Sequence, residues 1–196
     1  MNSKIREIKE LALANNVPII QDASLEYIKK IIKERNVQKI LEVGTAVGYS
    51  SLCFSMNDSV ELIDTIERNL NMYQEALNNI QECGMENVIK VHYGDALEVE
   101  ISKFSSDYDL LFIDAAKAQS RKFFERFSPL LKPDGIIIVD NILFHGVSVE
   151  DEKISRNLRQ LVRKINEFVE WLKNHPDYVT TFFDEGDGLA ISVKRC

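Results

Sequence analysis

The sequence predicts an α/β fold, a mostly parallel, doubly wound sheet with a C-terminal antiparallel hairpin, and three observations predict it. Short apolar runs alternate with helical periodicities from residue 38 to residue 140, the pattern of a parallel sheet whose crossovers are helices. The run Ile40-Leu41-Glu42-Val43 opens through Gly44-Thr45-Ala46-Val47-Gly48 into a helix, as strands do where open sheets bind ligands beyond their carboxyl ends. After residue 150 the pattern changes to one long amphipathic helix and two short strands flanking Glu185-Gly186-Asp187-Gly188.

Ile5, Ile8 and Leu11 recur at helical spacing and predict a short first helix; Leu25, Ile28, Ile31 and Ile32 predict a second, with Asp22 and Ser24 as its caps. The predicted order continues with strand 38–43, helix 48–56, strand 60–66, helix 69–82, strand 88–93, a short helical piece, strand 108–113, helix 118–131 and strand 135–140. Asn69 is suited to cap the helix whose stripe is Leu70, Tyr73, Leu77 and Ile80, and Gly84 to stop it. Lys132-Pro133-Asp134-Gly135 reads as a tight turn, with Pro presetting one dihedral and Gly supplying the unusual one. The long helix buries Ile154, Leu158, Leu161, Val162, Ile165, Phe168, Val169 and Leu172, and the hairpin pairs residues 179–183 with 189–193.

A chain of 196 residues that is 45% apolar can build one core, so a single domain over residues 1–196 is expected. No stretch approaches the roughly 18–20 continuous apolar residues of a membrane span, and Met1 to Glu10 is too charged for a signal peptide. Cys53, Cys83 and Cys196 are odd in number and lack metal-ligand spacing. They fit a reducing, cytoplasmic setting and exclude a disulfide framework or a zinc site. The net charge of −7 excludes a protein that coats nucleic acid nonspecifically, while leaving room for a local basic patch.

Gly44 and Gly48 bracket a turn where backbone can approach a ligand closely. The loop lacks the full dinucleotide fingerprint, which disfavours an NAD-binding oxidoreductase. The strand after it ends in Glu67, able to accept hydrogen bonds from two ribose hydroxyls, and Asp95, at the end of the third strand, suits an adenine amino group. Read blandly, both are helix-start carboxylates favoured by the helix dipole. Further along, Asp114, Asp140 and Asn141 offer two carboxylates and an amide oxygen, a hard-oxygen set suited to Mg²⁺ or Mn²⁺. The bland reading there is turn chemistry. Lys117 is suited to orient a substrate or take a proton, or else simply starts a helix at the surface.

Glu42-Val43-Gly44-Thr45-Ala46-Val47-Gly48-Tyr49-Ser50, Thr65-Ile66-Glu67-Arg68 and Gly94-Asp95-Ala96, with Phe112-Ile113-Asp114-Ala115-Ala116-Lys117 and Val139-Asp140-Asn141, resemble the motifs of one family over nearly the whole chain. That family is the metal-dependent O-methyltransferases of the catechol and caffeoyl-CoA type, within the class I S-adenosylmethionine-dependent methyltransferases of Rossmann-like fold. The resemblance implies S-adenosyl-L-methionine bound by Ile20, Gly44, Ser50, Glu67, Asp95, Ala96 and Asp114. It implies a metal on Asp114, Asp140 and Asn141, catalysis by Asp114 and Lys117, and a homodimer. Val17-Pro18-Ile19, Asp140-Asn141-Ile142-Leu143-Phe144 and the tail from Trp171 through His175-Pro176-Asp177-Tyr178 to Gly186-Asp187-Gly188-Leu189 resemble, more narrowly, the bacterial tRNA 5-hydroxyuridine methyltransferases. The substrate so implied is 5-hydroxyuridine in the tRNA anticodon loop, methylated to 5-methoxyuridine.

Arg156, Arg159, Arg163 and Lys164 share one side of the long helix, and Lys117, Arg121, Lys122 and Arg126 form a second basic row. Arg121, Lys122, His145 and Arg156 are the candidate RNA contacts; charge runs also occur as plain solvated faces. His92 and His175 read as structural. The helical region before Val17 is short beside the family pattern. Two alternatives stand against the tRNA reading: a small-molecule catechol or caffeoyl-CoA-type enzyme with the same cofactor and metal, and a cofactor- or RNA-binding module without catalysis.

Overall fold

The computed structural model describes residues 3–142 and 155–195. Two helices, α1 (Ser3–Ala14) and α2 (Asp22–Glu34), precede the alternation β1 (Lys39–Val43), α3 (Tyr49–Phe54), β2 (Leu62–Glu67), α4 (Leu70–Glu82), β3 (Ile89–Tyr93), β4 (Tyr108–Ile113), α5 (Ser120–Phe127) and β5 (Leu131–Asp140). Helix α6 (Arg156–Lys173) and the hairpin β6 (Tyr178–Phe183) and β7 (Leu189–Lys194) complete the described residues. The sheet runs in the order β3-β2-β1-β4-β5-β7-β6. Its first five strands are parallel, and β7 is antiparallel to both β5 and β6.

Successive residues of each central strand face opposite sides, so apolar runs rather than alternating ones are what a sheet covered on both faces requires. Ile40, Ile63, Leu110, Phe112, Ile136 and Ile138 pack with α1 to α4 on one face. Leu41, Val43, Leu111, Ile113, Ile137 and Val139 pack with α5 and α6 on the other. Asp64 on β2 ties three strands together: Tyr108 on β4 donates to its Oδ2 at 2.6 Å, and His92 on β3 meets its Oδ1 at 2.6 Å. His92 is thereby a packing residue. His175 is another, lodged against Phe124, Trp171 and Tyr178 with its Nδ1 accepting from the Asp177 amide.

Several expectations need correction. Leu11 is exposed and Ala12 takes its place inside, because the stripe Ile5, Ile8, Ala12 follows the helical period. The residue before α2 is Gln21, with no side-chain cap; Asp22 lies in the first turn beside Lys9, and Ser24 is buried. On α4, Asn69 caps as expected, accepting from the amides of Asn71 and Met72, and Gly84 stops the helix at φ 67°. The buried pair there is Ala76 and Ile80, while Leu70 and Leu77 are exposed.

Helix α5 ends at Phe127 rather than near 131, because Pro129 has no amide hydrogen to continue it. Lys132 to Gly135 is an irregularity inside β5: Tyr108 pairs with Leu131 and Leu110 with Ile136, so Asp109 alone faces all four. Lys132 pairs with Asp109 at 2.5 Å across it. Gly135 is not at positive φ; a Cβ there would stand 3.0 Å from that of Leu131, so close packing is what requires the glycine. Among the described residues no helix is long and apolar enough to cross a membrane. Ile154 and Cys196 lie outside the described residues.

Candidate active site

The strand order sets the predicted site residues in a row. Asp95 follows β3, Glu67 ends β2, Gly44 follows β1, Asp114 follows β4, and Asp140 and Asn141 close β5. Neighbouring strands lie ~4.8 Å apart, so the row extends roughly 20 Å along the carboxyl edge of the sheet. Above it opens a cavity of about 790 Å³ lined by Ile20, Gly44, Ser50, Glu67, Asp95, Ala96, Asp114, Lys117 and Asn141, among others. That volume suits a nucleoside-sized ligand with a second small group beside it.

Gly44 leaves β1 at φ 107°, and a Cβ on it would overlap the Asp114 carbonyl oxygen and stand 2.8 Å from the carbonyl carbon. The missing side chain therefore serves the approach of the loop to the β4 exit, a different reason from the ligand approach expected of it. The Asp114 amide donates to the Val43 carbonyl at 3.0 Å and the Gly44 amide to that of Ile66 at 3.1 Å, so the loop is fastened on both sides.

Glu67 is held by two backbone amides: Ala46 donates to its Oε2 at 2.8 Å and Asn69 to its Oε1 at 2.7 Å. Each carboxylate oxygen keeps a further lone pair for a ligand hydroxyl. Asp95 spends Oδ1 on the Leu97 amide at 2.8 Å, a local turn bond, yet still lines the cavity. Ser50 donates to Oε1 of Glu42, a carboxyl fully buried beneath the wall, which also accepts from Thr65 and Ser51. Burial pushes the Glu42 carboxyl up to about 7 against the pull of those hydroxyls.

At the other end of the row, Asn141 sits at φ 62°, a conformation Asn tolerates, and places its Nδ2 3.2 Å from Asp114 Oδ1. Asp140 is buried, accepts from the Asn141 amide at 2.8 Å and faces Ser24 Oγ at 3.4 Å. Burial raises Asp114 to about 6, with Lys117 pulling it back down. Burial together with the charge of Asp114 raises Asp140 to about 7. Two mutually repelling carboxyls beside an amide are a donor set that a hard divalent cation would relieve. Among the described residues no three His, Cys, Asp or Glu side chains converge as a metal cluster, and the third predicted ligand is the amide of Asn141. Asp187, in the β6–β7 connection, also lines the cavity, and its charge raises both aspartates.

Asp187, Ser24 and the role of Glu42 escaped the sequence reading. A lone acid inside the apolar run of β1 was a signal for Glu42; for Asp187 and Ser24 only the fold supplies one. The basic residues divide. Lys122 and Arg156 are exposed, but Arg121 donates to Glu125 at 2.9 Å and stacks over Trp171 at 4.9 Å. Arg126 turns inward to the Val99 carbonyl, so the second row is not one solvent-facing strip. His145 lies outside the described residues. Burial raises Cys53 to about 11, consistent with an inert core thiol.

A family model described as O-methyltransferase matches residues 3–195. A Staphylococcus aureus structure, provisionally described as a caffeoyl-CoA O-methyltransferase, is 46% identical, covers 99% of this chain and 93% of its own, and superposes with a TM-score of 0.90. An O-methyltransferase from Bacillus cereus in complex with S-adenosylhomocysteine is 25% identical over 100% of this chain and 92% of its own, with a TM-score of 0.82. Caffeoyl-CoA O-methyltransferase 2 of Petunia hybrida is 29% identical over 200 residues, 95% of this chain and 81% of its own.

The Gly44 contact predicts that Gly44→Ala destabilises the protein by about 3 kcal/mol or more, combining strain at positive φ with a backbone clash. Urea unfolding measures it, and a loss under about 1 kcal/mol would show that the loop can move off Asp114 at little cost.

Proposed function

This chain belongs to the O-methyltransferase family and is an S-adenosylmethionine-dependent O-methyltransferase of the caffeoyl-CoA type; from that premise we propose that it methylates one of two neighbouring oxygens of its acceptor with the help of a divalent cation, Mg²⁺ or Mn²⁺, on Asp114, Asp140 and Asn141. The observation that carries the reading is the row along the sheet edge, from an amide-held carboxylate at Glu67 to the buried acidic pair at Asp114 and Asp140. When bound, S-adenosylmethionine supplies the methyl group as a sulfonium, and the cation supplies the Lewis acidity that ionises a chelated hydroxyl near neutral pH.

The chain's own residues hold and orient. Glu67 accepts the ribose hydroxyls, Asp95 and Ala96 flank the adenine, and Gly44, Ser50 and Ile20 line the remaining length. Lys117, whose charge acts on Asp114, orients the acceptor hydroxyl through its N–H donors or, as the neutral amine, takes its proton. Most of the rate then comes from holding acceptor and donor in line, a contribution that reaches ~7–11 kcal/mol in favourable cases.

As acceptor we propose 5-hydroxyuridine in the tRNA anticodon loop, whose hydroxyl and O4 carbonyl form a vicinal pair. Exposed Lys122 and Arg156 support it, since phosphate contacts near the site would position the loop. A small catechol-type acceptor is the second reading, favoured by the names of the relatives and by the engagement of Arg121 with Glu125 and Trp171. We further propose a homodimer, because Leu11 and Leu13 on α1 and Val179 on edge strand β6 are exposed apolar residues.

Exhaustive chelation, or Asp140→Ala, is expected to cut turnover at least a hundredfold while calorimetry still registers S-adenosylhomocysteine binding; full turnover without metal would refute the cation. Purified protein should methylate tRNA carrying 5-hydroxyuridine far faster than catechol or caffeoyl-CoA, and more slowly as salt rises. The reverse preference would assign the small-molecule reading. Light scattering at micromolar concentration should give twice the chain mass, and a monomer mass would remove the dimer.

A further inference from the structure

We infer that Arg126, which does not line the cavity, is a positioning residue for the cofactor's purine: from α5 it holds the turn after β3 by the Val99 carbonyl, and so sets Asp95 and Ala96 where they read the adenine, given the cofactor placement proposed above.

Residues 94–99 form neither strand nor helix, so no ladder fixes their place. Most of their hydrogen bonds are internal: the Asp95 carbonyl accepts from the amides of Glu98 at 2.8 Å and Val99 at 3.0 Å, and Asp95 Oδ1 accepts from Leu97. A Cβ on Gly94 would stand 3.0 Å from Val99 Cγ1, so the turn is folded tightly upon itself. Bonds of that kind fix the shape of the turn and not where it sits. Among the described residues, two others join it to the body of the protein. At its start the Gly94 amide donates to the Glu67 carbonyl at 2.9 Å; at its end Arg126 Nη2 donates to the Val99 carbonyl. Asp95 and Ala96, which line the cavity, lie between those fastenings. Leu97 and Val99 also pack against the core on the α5 side, but apolar contact is non-directional and does not set the height of the turn above the sheet.

An arginine at this place carries a cost of its own. Phe123, Phe124 and Phe127 bury α5 in the core, and an apolar side chain at 126 would extend that contact. Instead a guanidinium lies over the Phe127 ring at 5.8 Å, with its Nε buried and without a partner among the described residues. A buried donor left unpaired is unfavourable. What the long side chain supplies in return is a charged donor that reaches from a firmly packed helix to the free end of the turn.

Calorimetry with S-adenosylhomocysteine and with S-inosylhomocysteine, which has a carbonyl oxygen where adenine has its amino group, measures the consequence. A carboxylate that accepts from the amino group opposes that oxygen, so the wild type should prefer the adenosyl ligand by about tenfold or more. Arg126→Met, which keeps length without a donor, should reduce the preference at least about fivefold, chiefly by weakening S-adenosylhomocysteine. Arg126→Lys keeps one charged donor and should hold the preference within about twofold of wild type. A merely structural role would lower stability in urea and leave the preference where it was. That outcome overturns the inference, as does an equal loss in Arg126→Lys and Arg126→Met. If Arg126→Met does not fold, Arg126→Gln, whose amide is too short to reach the Val99 carbonyl, is read by the same ratio. Asp95→Ala tests the placement separately, since it should itself remove the preference. If it does not, the adenine placement falls and the role of Arg126 with it; if it does while Arg126→Met leaves the preference intact, the placement stands and only the role of Arg126 is refuted.

Discussion

The contact on which the rest of the site depends is backbone against backbone: the turn at Gly44 lies directly on the carbonyl of Asp114. Parallel strands end with unpaired peptide groups, and here those of β1, β2 and β4 satisfy one another through Gly44, Ile66, Val43 and Asp114. The glycine loop and the first acidic ligand candidate are therefore fastened to each other.

The same edge concentrates charge that the fold does not want. Glu42, Asp114 and Asp140 are all pushed upward, chiefly by loss of water. Acids brought into low dielectric cost stability unless something pairs with them. Glu42 is answered by hydroxyls, Asp114 by Lys117 and Asn141, and Asp140 by the Asn141 amide and Ser24. Perturbed acids gathered around one cavity, with Asp114 in its lining, are what functional sites, rather than stable cores, tend to show.

The tail that carried the narrow resemblance has a structural role of its own. Trp171, His175 and Tyr178 pack around Phe124, and Trp171 also carries Arg121. The Ser24 hydroxyl faces both Asp140 and the Glu185 carbonyl, joining the hairpin connection to the acidic corner. Gly186 turns at φ 60°, and a Cβ there would displace the Ser24 hydroxyl from its place. The hairpin thus closes the wall and brings Asp187 to it.

Local chemistry made much of this legible in the sequence. Periodicity of 2 and 3.6 residues located the strands and helices, the Asn69 cap and Gly84 stop followed from short-range hydrogen bonding, and acids at strand ends marked the candidate site. Where a stripe was misjudged, as at Leu11, Leu70 and Leu77, the reason is that amphipathicity does not say how wide the covered face is. What the chain order could not supply is spatial order. Residues 44, 67, 95, 114 and 140 come in sequence, but the sheet arranges them as 95, 67, 44, 114, 140, because the crossover after β3 carries the chain back past β2 and β1. Only that reversal sets the glycine turn against Asp114, since parallel pairing joins strands far apart in sequence and no local pattern records which neighbour each will find.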